Sequence, residues 1–368
     1  MDLSFLRPLY DRPGPWASVY LDASREAEAA AEAVDLRWRG LRERLTEQGA
    51  PPETLAAVER EIADRPPAPG RYGLAVFAAG GEAVLTEYLS APPRTGLARY
   101  GPLPHAMPLV AQRGEEIAWL RVLTDRTGAD LTAVAAGGVP RTSTVEGHET
   151  HPIRKVSPGG WAQPRYQREA ETTWQRNAGD VAAATTAVAD QLAPEVLVIA
   201  GDVRARQLLL TQLPKRWQDR AVQTDAGSRA RGADQHALDD VTIQAVAEVA
   251  DRHTRAAIDR YGAQEGAGAG LAAAVAALRR EQVAQLLIVD DPSSTDELWV
   301  GPSPHHLALS ADELRELGVA EPVRVRADAA LVRALAGTGA ELILVGPDDA
   351  ALPDGVGAVL RYTDPSTS

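Results

Sequence analysis

The chain has 368 residues, a formal net charge of −13 and no cysteine. Its length predicts two or three domains. The acidic charge argues against non-specific coating of nucleic acid, DNA included, because such binding needs a basic surface, and the lack of cysteine excludes disulfides and thiolate chemistry. No signal-peptide pattern opens the sequence and no apolar run reaches the roughly 18 residues of a membrane span, so we expect a cytoplasmic protein without a membrane partner.

Residues 1–114 are predicted to form a first α/β domain. A strand at Ala17–Asp22 precedes a helix that starts at Ser24 and ends before Gly49. A second helix at Glu53–Asp64 follows, and then two strands form a hairpin joined at Gly80 and Gly81. The proline-rich stretch 91–108 is predicted to be a connection that leads to a boundary near residue 115.

Residues 115–262 are predicted to form a mixed α/β domain. Two strands surround a turn at 125–130, a third short strand covers 142–146, and a long helix runs from Arg165 to Leu192. The apolar run "PEVLVIAGD" indicates a strand buried on both faces. A helix, a short strand near Ala221 and a second long helix complete this domain.

Residues 263–368 follow a glycine-rich boundary and are predicted to form a small α/β/α sandwich. The predicted order is helix, strand, helix, strand and strand. The fold class of the whole chain is therefore α/β (α+β), with three domains.

Two features resemble ligand sites but have ordinary explanations. "GAGAGLAAAVAALRR" places glycines at a helix start, yet no strand precedes it and no Lys or Ser/Thr follows at the spacing of a phosphate loop. The pairs His148 with His151 and His305 with His306 lack the spacing of a zinc site. We therefore expect no cofactor and no metal.

Three aspartates lie at predicted strand ends of the middle domain. Asp125, Asp130 and Asp202 could gather around magnesium, as in a nuclease. Each also has an ordinary structural role, because two flank a turn and Asp202 is placed to cap the following helix. Both interpretations stay open.

The segment from Thr150 to Arg168 is basic, in contrast to the acidic chain as a whole. It contains basic residues and no Asp or Glu, and its sequence "SPGGW" places two glycines before a tryptophan. Basic side chains suit phosphate contacts, glycines allow close approach of the backbone, and a tryptophan can stack on a base. The alternative is an ordinary strand-to-helix loop whose Trp161 packs on its own domain.

The stretch "GGWAQPRYQREAETTWQRN" resembles the GGQ loop and following helix of archaeal and eukaryotic class-one peptide chain release factors, a family that includes Pelota-like proteins. "GLAAAVAALRREQVAQLLIVDD" and "TGAELILVGPDDAALPDGVGAVLRY" are similar to segments of that family's C-terminal domain. Endings like "DGVGAVLRY" and the "ASVYLD" near the start resemble the actinobacterial branch, which includes the Balon-type ribosome hibernation factors.

This resemblance implies three domains and a ribosomal partner. The first domain would lie in the decoding region with 16S rRNA, the middle one would have an RNase H-like core, and its loop would reach 23S rRNA near the peptidyl transferase centre. The last domain would contact the stalk base or a translational GTPase such as elongation factor Tu. The RNA-binding residues would be Arg154, Lys155, Gly159, Gly160, Trp161, Gln163, Arg165 and Arg168.

One position departs from the family pattern. Where the release factors have the glutamine that positions water, this chain has Trp161, and Gln163 follows two residues later. A shift of two residues moves a side chain by roughly 7 Å at extended spacing, which is too far for catalytic positioning unless the loop refolds. The resemblance therefore favours a non-enzymatic hibernation factor that occupies the A site of idle ribosomes.

Two other functions stay open. The first is a peptidyl-tRNA hydrolase in ribosome rescue that acts through residues 159–163, with Gln163 as its catalytic residue. The second is a stress-response interaction protein that keeps the fold but no longer binds ribosomes, which the acidic net charge favours.

Overall fold

The computed structural model describes residues 1–24, 30–64, 71–89, 91–114, 116–138, 140–147, 163–230, 232–264, 268–291 and 293–362; at residues 30–31 and 163–170 it describes the backbone only. The chain divides into two compact units, one made of residues 1–114 with 254–368 and the other of residues 115–253. The limit at residue 114 coincides with the predicted first boundary. The limit at 253 falls inside a helix, and the three-domain division stays a prediction.

The first segment of the chain has the following elements: α1 (Arg7–Tyr10), β1 (Trp16–Asp22), α2 (Ala30–Glu47), α3 (Pro52–Asp64), β2 (Gly73–Ala79), β3 (Glu82–Leu89), β4 (Leu97–Gly101) and α4 (Met107–Arg113). The strands form an antiparallel sheet in the order β3-β2-β1-β4. Helices α2 and α3 pack on one face because Trp38, Leu41 and Leu45 recur at helical spacing and are buried there.

The predicted hairpin at Gly80 and Gly81 is confirmed, since β2 and β3 pair across it. The prediction that 91–108 is only a connection is wrong. Strand β4 lies in this stretch and pairs with β1 from Trp16 opposite Gly101 to Tyr20 opposite Leu97, and α4 begins within it. The short β4 is an edge strand whose half-buried side chains lack a clear apolar alternation.

The middle unit contains the following elements: β5 (Trp119–Asp125), β6 (Gly128–Val134), β7 (Arg141–Glu146), α5 (Gln163–Leu192), β8 (Val196–Gly201), α6 (Val203–Gln212), α7 (Lys215–Gln218), β9 (Ala221–Gln223) and α8 (His236–Gly262), whose last residues belong to the other unit. The sheet order is β7-β6-β5-β8-β9. Strands β5, β8 and β9 are parallel, and β6 is antiparallel to both its neighbours. This is the order expected for an RNase H-like core.

Strand β8 is buried on both faces, as its continuous apolar run predicts. Leu197 and Ile199 pack with residues of α5, α6 and α7 on one face. Val196 and Val198 pack with residues of α8 on the other. The sheet therefore lies between two helical layers.

The last segment contains the following elements: α9 (Gly270–Arg279), β10 (Val283–Val289), β11 (Glu297–Val300), β12 (Leu307–Ala308), α10 (Ala311–Glu316), β13 (Val323–Arg326), α11 (Ala327–Thr338), β14 (Glu341–Val345) and β15 (Val356–Leu360). The sheet β14-β10-β15 has the end of α8 on one face and α9 with α11 on the other. The predicted α/β/α sandwich and the α/β class are confirmed. The small antiparallel sheet β12-β11-β13 is an addition to the predicted order.

The first and last segments share one core in their common unit. Trp16, Tyr20 and Phe77 of the four-stranded sheet belong to the same buried cluster as Leu331 and Leu335 of α11. Within the described parts of the chain, no helix combines the length and apolar character that a bilayer crossing needs.

Candidate functional site

One edge of the five-stranded sheet carries the functional candidates of the middle unit. Strands β5, β7 and β8 all end there, at Asp125, Glu146 and Gly201, because β7 and β8 both run in the direction of β5. We call this the loop edge, since the basic segment leaves the sheet after β7. Connections at the ends of parallel strands are where α/β domains place their functional groups.

The exit of β7 is held tightly at the loop edge. The amide of Gly147 donates to the Thr127 carbonyl at 2.7 Å, and the Asn177 side-chain amide donates to the Arg126 carbonyl at 2.9 Å. A Cβ atom on Gly147 would lie 2.5 Å from Cγ of Asn177, so only glycine fits here without a shift. The residue that follows β7 is therefore fixed against α5.

The carboxylates of the three aspartates in the possible nuclease site accept hydrogen bonds from other residues of the chain. Arg229 donates from its Nη1 to Asp125 at 2.8 Å and from its Nε to Asp130 at 3.1 Å. Asp202 accepts from the backbone amides of Arg204 and Ala205, both at 3.0 Å, and so caps α6 as predicted. The positive guanidinium lies between the two carboxylates, where a magnesium ion would have to lie. It already neutralises the negative charge that would bind such an ion.

The charges in this cluster reinforce each other. Burial by itself would raise the pKa of Asp125, but hydrogen bonds from Thr127 and the nearby Arg229 hold it below its ordinary value. Burial would lower the pKa of Arg229, yet its bonds to Asp130 and Asp125 raise it. The arrangement is an ion-pair cluster, and it favours a structural role of these aspartates over a metal nuclease.

The described residues contain no group of three or more His, Asp or Glu side chains placed to hold a metal ion. The rings of His305 and His306 contact each other at a centroid distance of 4.9 Å, and the backbone amide of Ser303 donates to Nδ1 of His306. His148 and His151 lie outside the described residues.

The glycine-rich start of α9 carries an acidic group. The amide of Leu271 donates to a carboxylate oxygen of Asp354 at 3.2 Å. A negative carboxylate at the helix start opposes phosphate binding there, so a linker followed by a helix start remains the better reading.

The predicted RNA-binding residues fall mainly outside the described part of the chain. This holds for Arg154, Lys155, Gly159, Gly160 and Trp161.

The other three predicted residues lie on described backbone. Gln163, Arg165 and Arg168 belong to the first turns of α5, which begins at Gln163. Their roles in RNA binding stay predictions.

Sequence reasoning missed Arg229, which lies about a hundred positions after the aspartates it binds. It also missed Arg126 and Arg204, which both lie over the ring of Trp174. The only sequence signal for these residues would have been the frequency of arginine and tryptophan in this part of the chain.

Comparison with known proteins gives one consistent family. Residues 118–267 match the model described as bacterial archaeo-eukaryotic release factor family 2. The uncharacterised Mycobacterium tuberculosis proteins Rv2629 and MT2704 are each 33% identical over 366 residues, which cover 97% of this chain and 96% of the relative.

Two solved structures are similar along nearly the whole chain. An archaeal translation termination factor, aRF1, has 17% identity and a TM-score of 0.28, with 97% of this chain and 96% of that chain covered. Pelota of Archaeoglobus fulgidus has 14% identity and a TM-score of 0.37, with 98% and 92% covered.

Proposed function

Because the chain belongs to the bacterial archaeo-eukaryotic release factor family, we propose that it is a cytoplasmic protein that binds ribosomes. The observation that carries this proposal is the acid-free basic segment from Thr150 to Arg168, which follows β7 in an otherwise acidic chain. Basic side chains on a tethered segment suit contacts with the phosphates of 23S rRNA.

Within this function we propose occupation of the A site of idle ribosomes, in the manner of a hibernation factor. The supporting observation is Trp161, which stands where release factors have their catalytic glutamine. An indole N–H can donate a hydrogen bond, but the bulk of the ring leaves little room for an attacking water. The first segment would face 16S rRNA, and a translational GTPase such as elongation factor Tu is the proposed delivery partner.

We expect the full chain to co-sediment with vacant 70S ribosomes at low salt. The double substitution Arg154→Glu with Lys155→Glu should lower the affinity at least about tenfold, because two cationic phosphate contacts become repulsive. Ribosome pelleting across a salt series measures this, and competition by A-site tRNA reports on the place of binding.

Lys215→Glu is the matched control for this experiment. Lys215 is the other lysine of the chain and lies in α7, which precedes β9 at the edge of the sheet opposite the loop edge. Its substitution should leave pelleting unchanged. Failure of the wild-type chain to pellet with vacant ribosomes would contradict the proposed function.

The hydrolase alternative depends on Gln163. This residue begins α5, so its backbone belongs to the helix rather than to the stretch that precedes it. We expect no release of peptide from stalled ribosome complexes loaded with labelled peptidyl-tRNA, and the same result for Gln163→Ala. Release by the wild-type chain that is lost in Gln163→Ala would establish the hydrolase instead.

A further inference from the structure

Three side chains form an exposed group at the loop edge. The guanidinium carbon of Arg126 lies 4.6 Å from the ring centroid of Trp174, and that of Arg204 lies 5.2 Å from it. Arg126 comes from the turn between β5 and β6, Trp174 from α5 and Arg204 from the first turn of α6. Both distances lie within the range of cation–π contacts. We call these residues the Arg–Trp–Arg group.

The group lies near the end of β7, the strand that precedes the basic segment in the chain. Asn177 follows Trp174 by about one helical turn, and its side chain binds the backbone carbonyl of Arg126. Gly147, the last described residue before the basic segment, packs against the same Asn177. The Arg–Trp–Arg group and the last described residue before the basic segment therefore contact the same side chain.

The group faces solvent, and its two guanidiniums have N–H donors that a ligand can reach. The side chains of Arg126 and Arg204 are 49% and 53% exposed, and the neighbouring Val203 is also exposed. Arg126 has Asp202 at 3.6 Å and Arg204 has Glu171 at 2.6 Å. A guanidinium carries five N–H donors, and exposed ion pairs contribute little stability, so a phosphate can replace or join the carboxylate at small cost.

A second cluster of the same residue types shows what a structural arrangement looks like. Trp217 is buried and donates from its indole Nε1 to Asp190 at 2.9 Å. Arg216 binds both oxygens of the same carboxylate at 2.8 Å. There the tryptophan is part of the core and the arginine donors converge on one partner, whereas Trp174 is only half-buried.

We propose that the Arg–Trp–Arg group binds single-stranded RNA. The two guanidiniums take backbone phosphates, and their planes together with the indole stack on an unpaired base. This combination favours RNA over a protein partner because it pairs planar cations with an aromatic surface beside a basic segment. The inference rests on the proposed function, since it supplies a second RNA contact next to the basic segment.

The test uses the full chain and a fluorescein-labelled single-stranded RNA of mixed sequence, with binding followed by anisotropy from low salt upward. Arg126→Gln with Arg204→Gln should weaken binding about tenfold. It should also reduce the slope of log K against log salt by about 1.4, because two phosphate contacts on a single strand are lost. Trp174→Leu should weaken binding at least about fivefold, and Trp174→Phe, which keeps an aromatic face, should stay near the wild type.

Arg216→Gln is the matched control, because it removes an arginine that is also paired with an acid and placed beside a tryptophan. It should leave RNA binding unchanged. Equal binding by the wild type and the double variant would overturn the inference, and so would a wild type that does not bind the probe. If the group binds a protein partner instead, the wild type and the double variant should bind the RNA probe equally.

The probe separates this inference from the proposed function. If the wild-type chain binds the probe through Arg126 and Arg204 but does not pellet with ribosomes, the inference stands and the proposed function fails. If it pellets with ribosomes and the double variant binds the probe as the wild type does, the inference alone fails.

Discussion

Gly201→Ala is expected to destabilise residues 115–253 by about 4 kcal/mol. Gly201 ends β8 with a φ of 101°, and a Cβ atom there would lie 2.1 Å from the carbonyl oxygen of Thr124 on β5. The added methyl group forces a strained backbone and pushes the two strands apart. That movement also breaks the bond from the Asp202 amide to the same carbonyl, 3.0 Å long. Hydrogen exchange of the β8 amides, read by mass spectrometry, measures the loss within this unit.

Gly232→Ala separates the two causes of this loss. Gly232 lies in the same unit with a φ of 77°, but a Cβ atom there would meet nothing within 4 Å. We therefore expect only the conformational cost, about 1 kcal/mol. Equal losses in the two variants would show that the close approach of β5 and β8 at Gly201 is not what excludes a side chain.

The unit formed by residues 1–114 and 254–368 is expected to lose stability on acidification through His105. Burial lowers the pKa of this imidazole to about 4, with Arg326 and Arg99 acting in the same direction and Asp328 against them. Its Nδ1 is buried without a hydrogen-bond partner among the described residues and lies 3.8 Å from Asp328. The neutral imidazole thus belongs to the folded state.

The direction of this pH effect follows from the two pKa values. The folded-state pKa is lower than the unfolded value of 6.5, so the unfolded chain binds more protons between these limits. The contribution of His105 is complete above pH 6.5 and is lost as the pH falls toward 4. It amounts to about 2 kcal/mol between pH 7.5 and pH 5, and to roughly 3 kcal/mol over the whole range.

The measurement compares urea unfolding of the wild type and His105→Asn across this pH range. Asparagine does not titrate, so the difference between the two proteins isolates the histidine from the carboxylates that titrate in parallel. His236→Asn, at a histidine whose side chain is 90% exposed, is the control and should follow the wild type. If His105→Asn shows the same pH dependence as the wild type, His105 is not the group responsible.

Local patterns in the sequence predict much of the fold correctly. The apolar run at 196–201 predicts a strand covered on both faces, and β8 is buried accordingly. Asp202 before a helical pattern predicts a cap, and its carboxylate accepts two amides at the start of α6. These predictions succeed because each depends on hydrogen bonds and burial within a few residues of the chain.

The predictions fail where an element depends on distant partners. Strand β4 exists because β1, about eighty residues earlier, offers its free edge, and β11 is a four-residue strand that pairs with β13 after an intervening helix. Neither carries a strong pattern of its own, because a short strand takes most of its stability from its neighbours.

The same distinction applies to the candidate site. The sequence alone identifies the acid-free basic segment and the two glycines followed by Trp161, because both are properties of consecutive residues. The tertiary structure is needed to see that Arg229 forms ion pairs with Asp125 and Asp130 of the possible magnesium site. The tertiary structure is also needed to identify the Arg–Trp–Arg group, because its members come from three separate elements. Side chains far apart in the chain meet only after the sheet has aligned the strand ends, and no local pattern records that alignment.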